Sequence, residues 1–84
     1  MYKVILNRQI LKSLDNIPVA YLPSIKKAIN DLAINPRPYG YIQLKGSDIH
    51  YRIRAGVYRI IYSIQDEILV VEVINIGHRK NVYR

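Results

Sequence analysis

Ile49-His50-Tyr51-Arg52-Ile53-Arg54-Ala55-Gly56-Val57-Tyr58-Arg59-Ile60-Ile61-Tyr62-Ser63-Ile64 reads as two strands joined by a tight turn. In the first strand Ile49, Tyr51 and Ile53 alternate with His50, Arg52 and Arg54, the period of a half-buried strand. The second strand, over 57–64, repeats the pattern with Tyr58, Ile60, Tyr62 and Ile64 on its apolar face. Ala55-Gly56 falls at the turn. With those two residues as the loop, Arg54 pairs with Val57, Ile53 with Tyr58, and Arg52 stands directly opposite Arg59. Arg52, Arg54 and Arg59 then share one face. Like charges across a strand pair are destabilising. A bound phosphate reverses that sign, because guanidinium forks grip its oxygens bidentately. A solvated sheet face also carries arginine, and for these three residues alone the two readings weigh about equally.

The residues on either side complete the architecture. Downstream, Gln65-Asp66-Glu67 reads as a turn, and Asp66 and Glu67 as hairpin chemistry. Ile68 to Ile76 is apolar except for Glu72 and Asn75, which predicts a central strand buried on both faces. Upstream, Tyr41 to Leu44 is a further strand, followed by a turn at Gly46-Ser47-Asp48. At the start, Tyr2 to Leu6 is a short strand. Asn7 can cap a helix whose stripe is Ile10, Leu11 and Leu14. A break at Asp15-Asn16-Ile17-Pro18 precedes a second helix that ends near Ile34. Leu22, Ile25, Ile29 and Leu32 recur at helical spacing, while Lys26, Lys27, Asn30 and Asp31 face away. Pro23 either starts this helix or bends it, and Asn35-Pro36-Arg37-Pro38 ends it. The order predicts an α+β domain over 1–84: two N-terminal helices packed on a mostly antiparallel sheet of about four to five strands.

The chain has 84 residues, 13 Lys plus Arg against 6 Asp plus Glu, and a net charge of +7. It holds no cysteine, so disulfides and thiolate metal sites are excluded. No apolar run approaches the roughly 18 residues of a membrane span. Asn7, Arg8 and Gln9 are polar where a signal peptide would be apolar. The expectation is a soluble cytoplasmic protein with an anionic partner, nucleic acid first. His50 and His78 are the only histidines and have no tight carboxylate set beside them, so no metal site is expected. The four serines sit in no nucleophile elbow, and the four glycines form no phosphate loop. Gly77-His78-Arg79-Lys80-Asn81-Val82-Tyr83 tips the balance on the arginines. It adds side chains that bind phosphate, move protons or stack on a base.

Tyr51 to Tyr62 resembles the central signature of RelE-type toxins, and Val73 to Tyr83 resembles their C-terminal signature. Leu32 to Pro38 and Leu44-Lys45-Gly46 fit as well, so the likeness spans nearly the whole chain. The resemblance implies a RelE-like, microbial-ribonuclease-type fold and one half of a toxin–antitoxin pair. It implies cleavage of mRNA in the ribosomal A site, with no cofactor or metal, by attack of a 2′-hydroxyl on the adjacent phosphate. Arg59 and Arg79 match the family's phosphate-stabilising arginines, and Tyr83 matches its stacking, proton-assisting tyrosine. Arg52 and Arg54 match two basic residues that are lysines in RelE itself. Arginine keeps its proton, so these two, with His50 and Lys80, are expected to bind RNA phosphate, and His78 to serve catalysis. His50 and Tyr83 are the other candidates for moving a proton. The implied partners are an acidic cognate antitoxin, in a hetero-oligomer with the toxin, and mRNA with 16S rRNA. The same superfamily holds ParE-like gyrase inhibitors, and an inactive RNA-binding relic is a third possibility.

Overall fold

A computed structural model describes residues 1–78. Strand β1 (Lys3–Leu6) stops at Asn7, whose extended backbone and side-chain oxygen begin helix α1 (Arg8–Asp15). That oxygen accepts the Ile10 N–H at 2.9 Å, satisfying one of the amides a helix start leaves open. The Pro23 ambiguity is resolved by a short 3₁₀ turn, Val19–Tyr21, set directly before α2 (Leu22–Leu32). Pro23 thus sits in the first turn of α2, where its missing N–H costs nothing. The helix ends with its apolar stripe at Leu32, with Ala33 as its cap, two residues before the expected end near Ile34.

Four strands follow: β2 (Ile42–Gln43), β3 (His50–Ala55), β4 (Tyr58–Gln65) and β5 (Val70–His78). The sheet order is β1-β5-β4-β3-β2. β5 pairs antiparallel with β4 and parallel with β1, so the sheet is mixed at one edge. The core lies between the helices and one sheet face. Ile25, Ile29 and Leu32 of α2 and Ile10 of α1 meet Tyr51, Ile53, Ile60, Tyr62, Ile64, Val71, Val73 and Ile76.

Two expectations change. The hairpin loop is Gly56-Val57, not Ala55-Gly56, because Gly56 takes φ +64° while Val57 does not. Glycine at the first loop position is what a type II′ hairpin turn requires. A Cβ at Gly56 would meet nothing within 4 Å, so the glycine is needed for its backbone angle alone. Arg54 therefore stands opposite Arg59, and Arg52 opposite Ile61. Second, β5 is buried on one face only. Ile61 pairs with Asn75 but Tyr62 with Val73, so Ile74 is an extra residue in a β-bulge. The bulge leaves Ile74 and Asn75 exposed and returns Ile76 to the core face.

Candidate functional site

The parity of β3 and β4 puts His50, Arg52, Arg54 and Arg59 on the sheet face opposite the helices. The shared face expected from sequence holds, although the partners across it differ. Arg54 is exposed, Arg59 half-buried, and Arg52 only 5% exposed. On the far side of Arg59, β5 presents Gly77, which adds no side chain. A hollow of about 80 Å³ lies at this end, lined by Arg54, Gly56, Tyr58 and Arg59. Two guanidinium groups directly across a strand pair concentrate positive potential at one point, the arrangement an oxyanion needs.

His50 lies on the same face, two positions before Arg52. Its Nδ1 is 2.6 Å from the Ser47 hydroxyl. That hydroxyl oxygen already accepts the N–H groups of Ile49 and His50, both at 3.2 Å. Its proton is therefore directed at Nδ1, which leaves the neutral ring with its own proton on Nε2. His78 goes elsewhere. It pairs with Tyr58 and meets that ring edge-on at 5.8 Å, on the face opposite Arg59. His78 and Arg59 thus stand on opposite faces of the sheet. Arg79, Lys80 and Tyr83 lie outside the described residues.

Arg54 also walls a second concavity. A groove of about 520 Å³ runs between α2 and the edge of β3, with Asp31, Tyr39, Ile42, Arg52 and Arg54 among its lining. Sequence reasoning passed over Tyr39 and Asp31. The signal available for Tyr39 was its setting, a lone ring between Pro38 and Gly40. A third depression, about 380 Å³ between α1 and α2, is lined mainly by apolar side chains such as Leu11, Leu14 and Ile29 and bears no arginine.

A polar cluster that the sequence did not announce holds the loop after α2 in place. Arg37 donates to both oxygens of Asp66, at 3.2 and 2.9 Å, and to the Tyr51 hydroxyl at 3.3 Å. Its guanidinium lies 5.2 Å from the Tyr51 ring centre. Tyr2 donates its hydroxyl to Asp66 at 2.6 Å. The Arg37 hydrogen bond, then that of Tyr2, holds the Asp66 carboxyl at about 2, below its ordinary 3.8. A depressed carboxyl stabilises the fold above its unfolded value and loses that contribution as pH falls through the folded one. Asp66→Asn should therefore be less stable than the parent at pH 6, and the gap should close between about pH 4 and pH 2. Thermal melts across that range check it.

Comparison with known proteins follows the same geometry. The family model described as the ParE toxin of type II toxin–antitoxin systems matches residues 4–83. A Methanocaldococcus jannaschii protein named as toxin RelE1 is 32% identical over 88 residues, covering 99% of this chain and 96% of its own. Among solved structures, the archaeal RelE–RelB complex of Pyrococcus horikoshii superposes with a TM-score of 0.83 at 28% identity, covering 96% of this chain and 98% of that one. The isolated RelE toxin of E. coli gives 0.79 at 26%, covering 93% and 84%. No described helix is long and apolar enough to cross a membrane. Two helices on one face of a five-stranded mixed sheet, a paired-arginine hairpin on the other, and a match over nearly the full length agree: the chain belongs to the ParE toxin family of type II toxin–antitoxin systems, within the RelE/ParE superfamily.

Proposed function

We propose that this RelE-like toxin cuts mRNA in the ribosomal A site. One observation carries the reading: Arg54 stands directly across from Arg59 beside a small hollow at the hairpin end of the sheet. A sheet selected for stability alone gains nothing from that pairing. In the proposed reaction the 2′-oxygen bonds to phosphorus and the bond to the 5′-oxygen breaks, leaving a 2′,3′-cyclic phosphate and a 5′-hydroxyl. The 2′-hydroxyl proton leaves to a base, and the departing 5′-oxygen gains one. Charge builds on the equatorial oxygens in between, and fixed cations aimed at them lower the barrier. Arg59 takes that role, and on the strength of the family resemblance Arg79 shares it. Exposed Arg54 holds the RNA backbone, with the largely buried Arg52 adding positive potential behind it, and His50 offers its Nε2–H. Tyr83 stacks on a base and assists proton transfer. His78, turned to Tyr58, is left out of the reaction. The ribosome supplies the in-line alignment of the mRNA, a positioning effect a chain of 84 residues has little surface to provide.

A cognate antitoxin is the second partner. The solved relatives include RelE–RelB complexes from P. horikoshii and E. coli, which supports a protein of that kind acting here. With a net charge of +7 on the toxin, an acidic segment is the complementary surface.

Purified toxin added to translating ribosomes should yield cut mRNA ends within the A-site codon, mapped by primer extension, and should hardly cut the same mRNA free in solution. Inhibition of DNA gyrase without such cuts would replace this reading with the gyrase-directed one.

A further inference from the structure

We infer that the groove between α2 and the edge of β3 is a second nucleotide pocket, in which the base of a flanking nucleotide stacks on Tyr39 and turns its amino edge to Asp31. The inference rests on the RNA-directed reading above and extends it to a site beyond the paired arginines.

Arg54 places the groove. It lines both the groove and the hollow that holds Arg59. A single strand with one phosphate at Arg54 and Arg59 would reach the groove by passing Arg54, the residue the two concavities share. At about 520 Å³ the space lies within the range of small-ligand clefts, roughly 300–1,000 Å³.

Tyr39 is built for display. The Tyr41 N–H donates to the Pro38 carbonyl at 3.0 Å, closing a four-residue turn around Tyr39 and Gly40. Gly40 takes φ +90°, as the third residue of a type II turn must. A Cβ there would meet nothing within 4 Å, so the glycine serves the backbone angle and not a close contact. The result is a ring held on a hydrogen-bonded turn with its full surface in solvent. A ring so presented is what a stacking platform requires.

Asp31 gives the groove its second polar wall. One carboxylate oxygen, Oδ2, receives the Lys27 ammonium at 2.9 Å. The side chain remains half exposed, so the carboxylate can still accept from a ligand. A carboxylate accepts only. It suits the amino groups of adenine, cytosine and guanine, and it repels the carbonyl oxygens of uracil. The groove thus offers arginine to phosphate, an aromatic face to a base, and an acceptor to an amino edge.

The test is an NMR titration of the free toxin with two unstructured RNAs, the trinucleotide of adenosine and that of uridine. The adenosine trimer should shift the amides of Gly40, Tyr41 and Ile42 and bind more tightly than the uridine trimer. Tyr39→Ala should weaken that binding about tenfold or more, and Tyr39→Phe should keep it. Asp31→Asn should narrow the gap between the two trimers. Shifts confined to the Arg54–Arg59 hairpin, with Tyr39→Ala binding as well as the parent, overturn the pocket. Equal binding of both trimers overturns the role of Asp31. Running the ribosome assay on the same protein separates the two readings. Cleavage without groove shifts leaves the nuclease standing and removes the pocket. Groove shifts without cleavage leave a nucleotide pocket on a protein with another activity.

Discussion

Arg59→Ala is expected to lower mRNA cleavage on translating ribosomes by about 10²- to 10³-fold, the loss that follows removal of one fixed donor to a developing oxyanion. The fold should survive. Arg59 is half-buried on the outer face of the sheet, and the core packs on the opposite one. Thermal unfolding and single-turnover cleavage measured on one preparation separate the effects. Growth arrest in cells expressing the variant should disappear. If Arg59→Ala stays fully active while folded, the phosphate is held elsewhere and the proposed reaction is wrong. Arg59→Lys sharpens the result. It keeps the charge but loses the planar fork, so recovery of only part of the rate would show that geometry matters as well as charge.

Tyr62→Ala has the largest expected effect on stability, about 3–5 kcal/mol. Domains of this kind have about 5–15 kcal/mol in total, and short chains lie toward the low end. Tyr62 has no exposed surface. Its ring stacks on Tyr51 at 5.9 Å, and its hydroxyl donates to the Pro36 carbonyl at 2.6 Å. Burial pushes that hydroxyl above its usual range, so it stays a donor. The ring thus ties β4 to the loop after α2, and Arg37 covers the Tyr51 ring from outside. Urea unfolding should show the loss. Tyr62→Phe keeps the packing and strands the Pro36 carbonyl, at a cost of about 1–3 kcal/mol. Equal losses for the two variants would mean that packing is not what Tyr62 contributes.

How far these elements could be read from sequence depended on how local their cause is. The Asn7 cap was legible because the donor it serves is three residues away. The stripe of α2 and the apolar faces of β3 and β4 were legible because period alone specifies them. The hairpin register was not. Alternation fixes faces but not partners, and the choice between Ala55-Gly56 and Gly56-Val57 turns on one backbone angle. The same limit hid that His78 faces away from Arg59, since its neighbour Gly77 is the residue paired with Arg59. The Ile74 bulge hid the one-sided burial of β5, because one inserted residue breaks the period-2 pattern midway. The Arg37–Asp66 pair joins residues 29 positions apart, and nothing in either local pattern predicts the other. In the site, the arginine face followed from parity. The groove beyond Arg54 did not, because it exists only where α2, the turn at Tyr39 and the β3 edge meet.

The parallel pairing of β1 with β5 has a consequence for how the protein comes into being. Lys3 pairs with Val70, so β1 waits for β5 before it has a place in the sheet. Until then β1 has no neighbour, and β4 lacks the strand that carries Gly77 beside Arg59. Contacts this distant along the chain form late. A chain in which β5 is not yet free to pair therefore has the Arg54–Arg59 hairpin but no finished sheet behind it.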